Sequence, residues 1–200
     1  MNWYALFVKV GHEDDVSKLI LRKLTNNIIR CIVPKRMIPE KKNNYVKHVL
    51  RPLFPGYVFI QAKMTTSLYY KLTDMKNIIR LLNHGYLYQA KVRQQTPPKS
   101  EKLDLDKYYF CDIPQQQMDP ILKLIDKNEI IGYSQICLKG SKVIVNSGPL
   151  KNMEGIIKKV DKRKKRAKIT MEFLGKTTLI DVGVEILQDA VKPNPRPRNE

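Results

Sequence analysis

Residues 140–150 read Gly140-Ser141-Lys142-Val143-Ile144-Val145-Asn146-Ser147-Gly148-Pro149-Leu150, and Glu154-Gly155-Ile156-Ile157 follow shortly after. In an extended chain Val143 and Val145 fall on one side and Lys142 and Ile144 on the other, because side chains alternate. Ser147-Gly148-Pro149 is a turn signal. Gly148 and Gly155 supply the backbone freedom that a loop between two strands needs. That loop presents Asn146, Ser147, Lys151 and Asn152, short polar groups suited to a nucleic-acid or protein surface.

Beyond this unit the same style runs on to residue 186. Lys142–Val145, Gly155–Val160, Lys168–Phe173 and Leu179–Ile186 read as four short strands. Ser147-Gly148-Pro149, Asp161-Lys162-Arg163-Lys164 and Leu174-Gly175-Lys176 divide them. Regular short strands with such turns predict a small β-barrel over 136–188, just large enough for its own core. The second turn is extreme in charge. Between 158 and 168, eight of 11 residues are basic: Lys158, Lys159, Lys162, Arg163, Lys164, Lys165, Arg166 and Lys168. Like charges this close repel, so a bound anion would relieve them. No helix-forming pattern runs through this half, so no refolding from helix to barrel is expected.

The first half is mixed. Trp3–Val10 is an aromatic and branched run, a buried strand, which Gly11 breaks. Glu13, Asp14 and Asp15 stand where a helix amino terminus favours acids. Val16, Leu19, Ile20 and Leu24 follow on one helical face, with Asp14, Lys18 and Arg22 four apart on the exposed side. Ile28–Val33, Tyr57–Ala62 and Ile78–Leu82 read as strands. Thr65–Met75 reads as a short helix with Leu68 and Leu72 inward, and Gln89–Lys102 as a long polar loop. Asp119 is expected to cap a last helix with Pro120 in its first turn, burying Met118, Ile121, Leu122 and Ile125. The order β-α-β-β-α-β-α predicts an α+β domain, an antiparallel sheet with helices packed on it, over 1–127. Residues 128–135 then form a link. The tail 189–200, with prolines at alternate positions, is expected to fray.

Charge follows this division. The 200 residues hold 37 Lys+Arg against 19 Asp+Glu, a net +18. Residues 1–112 carry 20 basic and 9 acidic groups, residues 134–188 carry 12 and 5, and residues 113–133 between them carry 2 and 3. An anionic partner is therefore the first expectation, nucleic acid ahead of a membrane surface. A second basic cluster, Lys35, Arg36, Lys41, Lys42, Lys47 and Arg51, occupies the loop before Phe54. The longest run free of charge is Pro52–Ala62, 11 residues with two prolines, against about 20 for a spanning helix. The apolar stretch Trp3–Val8 lacks the basic flank and cleavage site of a signal peptide. Cys31, Cys111 and Cys137 are odd in number and spaced for neither a disulfide framework nor a zinc clip, which fits a reducing cytoplasm. His12, His48 and His84 are scattered, and no HExxH, GxxxxGK[ST] or GxSxG pattern occurs. No catalytic residue, metal or cofactor is expected, and the chain reads as a cytoplasmic, monomeric binding protein rather than an enzyme.

Two motifs carry a family resemblance. Gly140–Leu150, Glu154–Ile157 and Lys168–Gly175 together resemble the KOW motif, a strand–loop–strand unit in SH3-like barrels of ribosomal and transcription proteins. Phe54-Pro55-Gly56-Tyr57-Val58-Phe59-Ile60, downstream of Trp3-Tyr4, resembles the amino-terminal domain of the NusG family of transcription factors. The resemblance implies an α/β sandwich domain that docks an apolar concave face on the clamp helices of the largest RNA polymerase subunit, followed by the SH3-like KOW barrel. Phe7, Pro55, Tyr57 and Phe59 match positions on or near that face; Trp3 and Tyr4 match the opening strand, where a core role is at least as consistent. The charge exceeds what a housekeeping member needs. This implies a specialised paralog of LoaP or RfaH type, promoting read-through of terminators in specific long operons. By the same resemblance the barrel meets a nascent leader RNA hairpin through the eight basic residues of 158–168 with Lys142, Lys151 and Asn152. The cluster from Lys35 to Arg51 is an additional nucleic-acid candidate, with non-template DNA as a further partner. Two alternatives stay open: a general NusG-type elongation factor whose KOW domain contacts Rho or a ribosomal protein, and a ribosome-associated RNA-binding KOW protein. One departure is clear. Where some specialised members carry a threonine-rich contact with the opposite polymerase pincer, this chain reads Thr65-Thr66-Ser67-Leu68-Tyr69-Tyr70.

Overall fold

Strand β1 (Asn2–Val8) is buried along most of its length because both of its faces are covered. The computed structural model describes residues 1–43, 45–82, 110, 112–140 and 142–187; the stretch Gln89–Lys102 and the tail 189–200 lie outside them. β1 pairs antiparallel with β5 (Tyr57–Ala62) and β6 (Ile78–Leu81), and β2 (Ile28–Ile32) flanks β5, in the order β2-β5-β1-β6. One face carries Tyr4, Leu6, Val8, Val58 and Ile60, packed against Val16 and Ile20 of α1 (Glu13–Lys23) and Leu68 and Leu72 of α2 (Thr66–Thr73). The Thr65 hydroxyl accepts from Leu68 N–H at 3.2 Å, an N-cap bond of the expected kind. The other face carries Trp3, Ala5 and Phe59, which pack on Met118, Ile121 and Leu124 of α3 (Gln115–Leu124).

Three sequence expectations for this half need correction. First, α3 starts earlier than expected. Pro114 takes the cap position and Pro120 sits inside the helix, while the Asp119 carboxylate accepts from the Gln115 amide at 2.6 Å instead of capping. Leu124, not Leu122 or Ile125, completes the buried face. Second, Asp14 bonds Lys35 Nζ at 2.8 Å rather than its helical neighbour Lys18. Third, the basic segment before Phe54 is not a loop. It is a hairpin of β3 (Lys35–Lys42) and β4 (Tyr45–Pro52), paired from Lys35↔Pro52 to Lys42↔Tyr45. Only Ile38 and Pro39 are buried in its two strands, so no alternation of apolar residues announced it.

The stretch 128–135 includes a strand of its own. β7 (Ile130–Ile131) adds to β3 in parallel, giving the order β4-β3-β7. The second half is a five-stranded barrel sheet in the order β10-β11-β12-β8-β9. Its strands are β8 (Ser134–Lys139), β9 (Lys142–Ser147), β10 (Ile157–Asp161), β11 (Arg166–Phe173) and β12 (Lys176–Ile186). Four strands were expected; β8 is the addition, and it pairs in parallel with β12, a partner remote in sequence. Ala167, Ile169, Met171 and Phe173 alternate into the barrel core from β11. That core continues into the first half: Trp3, Phe54, Phe59 and Ile121 belong to one buried cluster with Ile169, Phe173 and Val182. No helix among the described residues is long and apolar enough to cross a membrane.

Candidate functional site

The barrel rests on the sheet face that α3 leaves uncovered, and aromatic rings fill the seam. Tyr57 and Phe59, two apart on β5, project to one side. Phe54 joins them through a tight turn closed by Tyr57 N–H donating to the Phe54 carbonyl at 3.2 Å. Phe173 of β11 enters between them. Its ring stacks on Phe54 at 4.2 Å and 25° and meets Tyr57 and Phe59 edge-on at 5.1 and 5.5 Å. Phe59 is fully buried as a result, and Tyr57 half-buried. Phe7 lies at the margin, 5.5 Å from the Tyr57 ring, with the Arg80 guanidinium 5.8 Å above it. Pro55 is exposed.

Glu13 fixes the turn that presents these rings. Its buried carboxylate accepts from Gly56 N–H at 2.7 Å and Gly11 N–H at 2.8 Å. Gly56 has φ +82, and a Cβ there would lie 3.1 Å from the Phe7 ring. Only glycine meets both demands without strain.

A polar strip borders the aromatic seam. Arg166 of β11 donates from Nε and Nη2 to the Pro39 carbonyl of β3, at 3.2 and 2.5 Å. Arg36 of β3 donates from Nη1 to the Asp181 carbonyl of β12. Burial pushes the Arg36 guanidinium below its ordinary pKa, partly opposed by Asp181, and the neighbouring Arg166 pushes the same way as burial. Its Nε is buried without a hydrogen-bond partner. Beside this pair β12 and β3 nearly touch. A Cβ on Gly183 would sit 2.6 Å from the Met37 carbonyl oxygen and 2.6 Å from the Tyr133 ring. The Tyr133 hydroxyl in turn meets His48 Nδ1 at 2.7 Å.

The basic hairpin β10–β11 stands next to that strip. Lys159, Lys168 and Asp181 are neighbours across β10, β11 and β12, and Lys168 Nζ lies 3.1 Å from the Asp181 carboxylate. At the hairpin end Asp161 accepts from Lys164 N–H at 2.9 Å. This bond, with the Lys164 and Arg163 charges, holds the Asp161 carboxyl below its ordinary pKa. Lys159, Asp161, Lys164, Arg166, Lys168 and Asp181 line a cleft of about 230 Å³. Four cations against two carboxylates leave it positive. Lys158, Lys162, Arg163 and Lys165 surround the same turn and are exposed. Lys142, Lys151 and Asn152 are exposed too but lie on other segments, the first residue of β9 and the loop after it, outside the cleft.

The second basic cluster divides by partner. Lys35 pairs with Asp14, and Arg51 pairs with Glu40 at 2.8 Å; Arg36 is committed to the seam. Lys41, Lys42 and Lys47 are exposed toward the hairpin tip. Among the described residues no group of three or more His, Cys, Asp or Glu is placed to hold a metal ion.

Comparison with known proteins agrees with this architecture. Residues 1–98 match the family model described as transcription termination factor nusG, and residues 139–172 match the KOW motif. The chain thus carries a NusG-type amino-terminal domain followed by a KOW motif. It is 23% identical over 186 residues to a Halalkalibacterium halodurans protein named transcription termination/antitermination protein NusG, covering 90% of this chain and 94% of that one. A Helicobacter pylori protein of the same name is 22% identical over 188 residues, with 91% and 94% covered. A solved structure titled "Domain interaction in Thermotoga maritima NusG" shares the fold at a TM-score of 0.50 and 19% identity, covering 91% of this chain and 93% of that chain. The chain couples this amino-terminal sheet domain to the KOW barrel through a shared aromatic seam.

Sequence reading singled out Tyr57, Phe59 and the basic turn but not their partners. Phe54 stood in a motif without a role of its own. Phe173, Asp181 and Gly183 carried no local signal, since their roles depend on which strand of the other half they face. The Pro39 carbonyl was invisible for the same reason.

Proposed function

We propose that this protein is an antitermination factor for specific long operons: its sheet domain binds RNA polymerase and its KOW barrel grips a leader RNA hairpin. The observation that carries the reading is the basic hairpin, whose exposed cations ring a positive cleft on the barrel surface. Backbone phosphates supply the anion that such a surface attracts. A-form RNA is met through phosphates and shape, and loop bases supply sequence choice. Lys142, Lys151 and Asn152 extend the RNA-binding surface beyond the cleft, and Lys41, Lys42 and Lys47 offer a separate site for DNA or RNA on the sheet domain.

Polymerase binding uses the aromatic face. Rings of this kind, set in an apolar surface, make strong docking anchors. Phe59 and Phe54 lie under the barrel in the packed chain, so docking through them requires the barrel to move aside. The protein contributes binding and positioning, not covalent chemistry, and acts in the cytoplasm as a monomer.

Transcription across an intrinsic terminator, with and without the leader element upstream, tests the reading. Read-through that depends on both the protein and the leader supports it. Polymerase binding with equal read-through on every template would instead mark a general elongation factor. RNA binding without any affinity for polymerase would mark a ribosome-associated protein.

A further inference from the structure

Lys168 and Asp181 stand directly opposite each other on β11 and β12, and both line the basic cleft. The Lys168 ammonium lies 3.1 Å from Asp181 Oδ1, and both side chains keep access to water, 43% and 34% exposed. Asp181 Oδ2 faces the Arg166 guanidinium at 3.9 Å, too far for a hydrogen bond. The pair therefore offers an incoming ligand a row of groups: one donor, then two acceptors. Asp161, the other acid of the cleft, closes its own turn by accepting from Lys164 N–H. The Asp181 carboxylate lowers the attraction of the cleft for phosphate, so a surface that only gripped a nucleic-acid backbone would do better without it.

Guanine is the base whose Watson–Crick edge complements that row. It shows an acceptor, O6, and then two donors, N1–H and N2–H. Cytosine and adenine show one amino donor beside ring acceptors. Uracil flanks its single N3–H with two carbonyls, which a carboxylate repels. The surface around the pair suits the rest of a nucleotide. Leu179, two residues before Asp181 on β12, points to the same side and is 56% exposed. It gives an apolar platform on which a base plane can lie. Lys159 stands opposite Lys168 on β10, and like charges so placed repel. Lys159 and Lys164 supply the positive charge that a phosphate beside the base requires.

We propose that the cleft holds one unpaired guanosine of the RNA: Lys168 donates to O6, the Asp181 carboxylate accepts from N1–H and N2–H, Leu179 supports the base plane, and Lys159 and Lys164 meet the flanking phosphates. The inference rests on the RNA-binding reading given above and deepens it by naming the base that is read. That base comes from a loop or a bulge, because pairing in a stem occupies the same edge. The cations of the hairpin follow charge and shape; the carboxylate set among them supplies the choice of base.

The test uses the full chain and a short RNA stem-loop whose uridine loop carries one guanosine, with binding measured at low and moderate salt. Inosine in place of that guanosine removes only the N2 amino group and is expected to weaken binding about tenfold, within the range for one bidentate base contact. Uridine there should weaken it at least as much. 7-Deazaguanosine, which keeps the edge and loses N7, should bind like guanosine. Asp181→Asn is expected to erase the preference for guanosine over inosine without lowering affinity for the inosine loop, since a negative charge leaves the cleft. A uniform loss for every loop in that variant would mean that the carboxylate only braces Lys168, and overturns its role as reader. Should the variant fail to fold, the inosine comparison on the natural protein decides alone. Equal binding of every loop overturns the base assignment and leaves the RNA reading standing. Weakened binding of the 7-deaza loop would mean that the lysines read O6 and N7 instead, and overturns it as well. Failure to bind any stem-loop at either salt overturns both readings. Guanosine monophosphate is the control; if it binds as tightly as the guanosine stem-loop, the cleft is a mononucleotide site and the assignment to RNA falls.

Discussion

Gly183→Ala is a direct probe of the seam. The added methyl would stand 2.6 Å from the Met37 carbonyl oxygen and 2.6 Å from Tyr133 Cε1. Carbon–oxygen approaches become comfortable near 3.3 Å, so β12 and β3 must part by about 0.7 Å. The Tyr133 ring can swing, but the Met37 carbonyl is backbone in a strand whose partner β4 pairs there at Leu50. Overpacking of this kind costs about 1–3 kcal/mol. The cost falls on the packed arrangement, because Val182 and Val184 fill the barrel core while Gly183, between them, faces β3. At about 1.4 kcal/mol per factor of ten, the separated population rises by roughly fivefold to more than 100-fold. Amide exchange and small-angle scattering read this together. Residues 57–60 should exchange faster and the radius of gyration should grow, while β8–β12 keep their protection. Natural exchange at 57–60 with unchanged dimensions would refute the tight approach as the determinant of packing. Lost protection throughout the barrel would show that the glycine serves the barrel itself.

Charge reversal at Lys162, Arg163, Lys164 and Lys165 should weaken stem-loop binding and flatten its dependence on salt, by a slope of about 0.7–0.9 for each phosphate no longer neutralised; polymerase pull-down should persist. Glu13→Ala leaves the N–H groups of Gly11 and Gly56 without their acceptor, and unfolding in urea should show a loss of about 2–4 kcal/mol. Cys31 is buried and its thiol is pushed up to about 12, chiefly by burial. Iodoacetamide at mildly alkaline pH should therefore label it only after unfolding, as mass spectrometry of the tryptic peptide would show. The same shift has a sign in stability. The folded state keeps the thiol protonated where the unfolded chain ionises, so the stability due to this group is whole below its ordinary pKa of 9.0 and is lost as pH rises toward about 12. Urea midpoints across that interval, compared with Cys31→Ala, would isolate the contribution.

Where burial follows a simple period, sequence was enough. The sheet face Tyr4, Leu6, Val8 and the helix face Val16, Ile20, Leu24 are core as their spacing requires. On β9, Val145 is buried and Val143 half-buried, while Ile144 on the opposite side is 41% exposed. Legibility failed where a strand is wet on both faces or finds its partner far away. β4 is almost wholly exposed, so its pairing with β3 leaves no trace in hydropathy. β8 forms a hairpin with β9, but only Ser134 and Ile136 are buried in it, and its second partner β12 lies about 50 residues on. The site divides in the same way. A dense run of cations is visible in any composition scan, but its geometry is not. Which of those cations lines the cleft, and which is tied to Pro39, follows from cross-strand register. Tyr57 and Phe59 were legible as aromatics at a candidate docking face; that Phe173 covers them depends on the packing of one half against the other.

The short span between β7 and β8 sets how far the two halves can drift apart. Ile130 and Ile131 are held on β3, the Glu129 carboxylate and carbonyl accept from Val33 and Lys35 N–H, and Asp126 accepts from Asn128 and Ile130 N–H. Only Gly132 and Tyr133 remain before β8 begins. Two residues reach about 7 Å, so with β7 in place a barrel released from the seam would stay on a short leash. An RNA bound as proposed by the basic hairpin would then stay close to the aromatic sheet. Peeling β7 away would lengthen the leash to the eight residues from Asp126 to Tyr133, about 27 Å. Under the proposed function, leash length, set by two isoleucines on a strand edge, fixes how near to the polymerase surface a transcript must emerge to be caught.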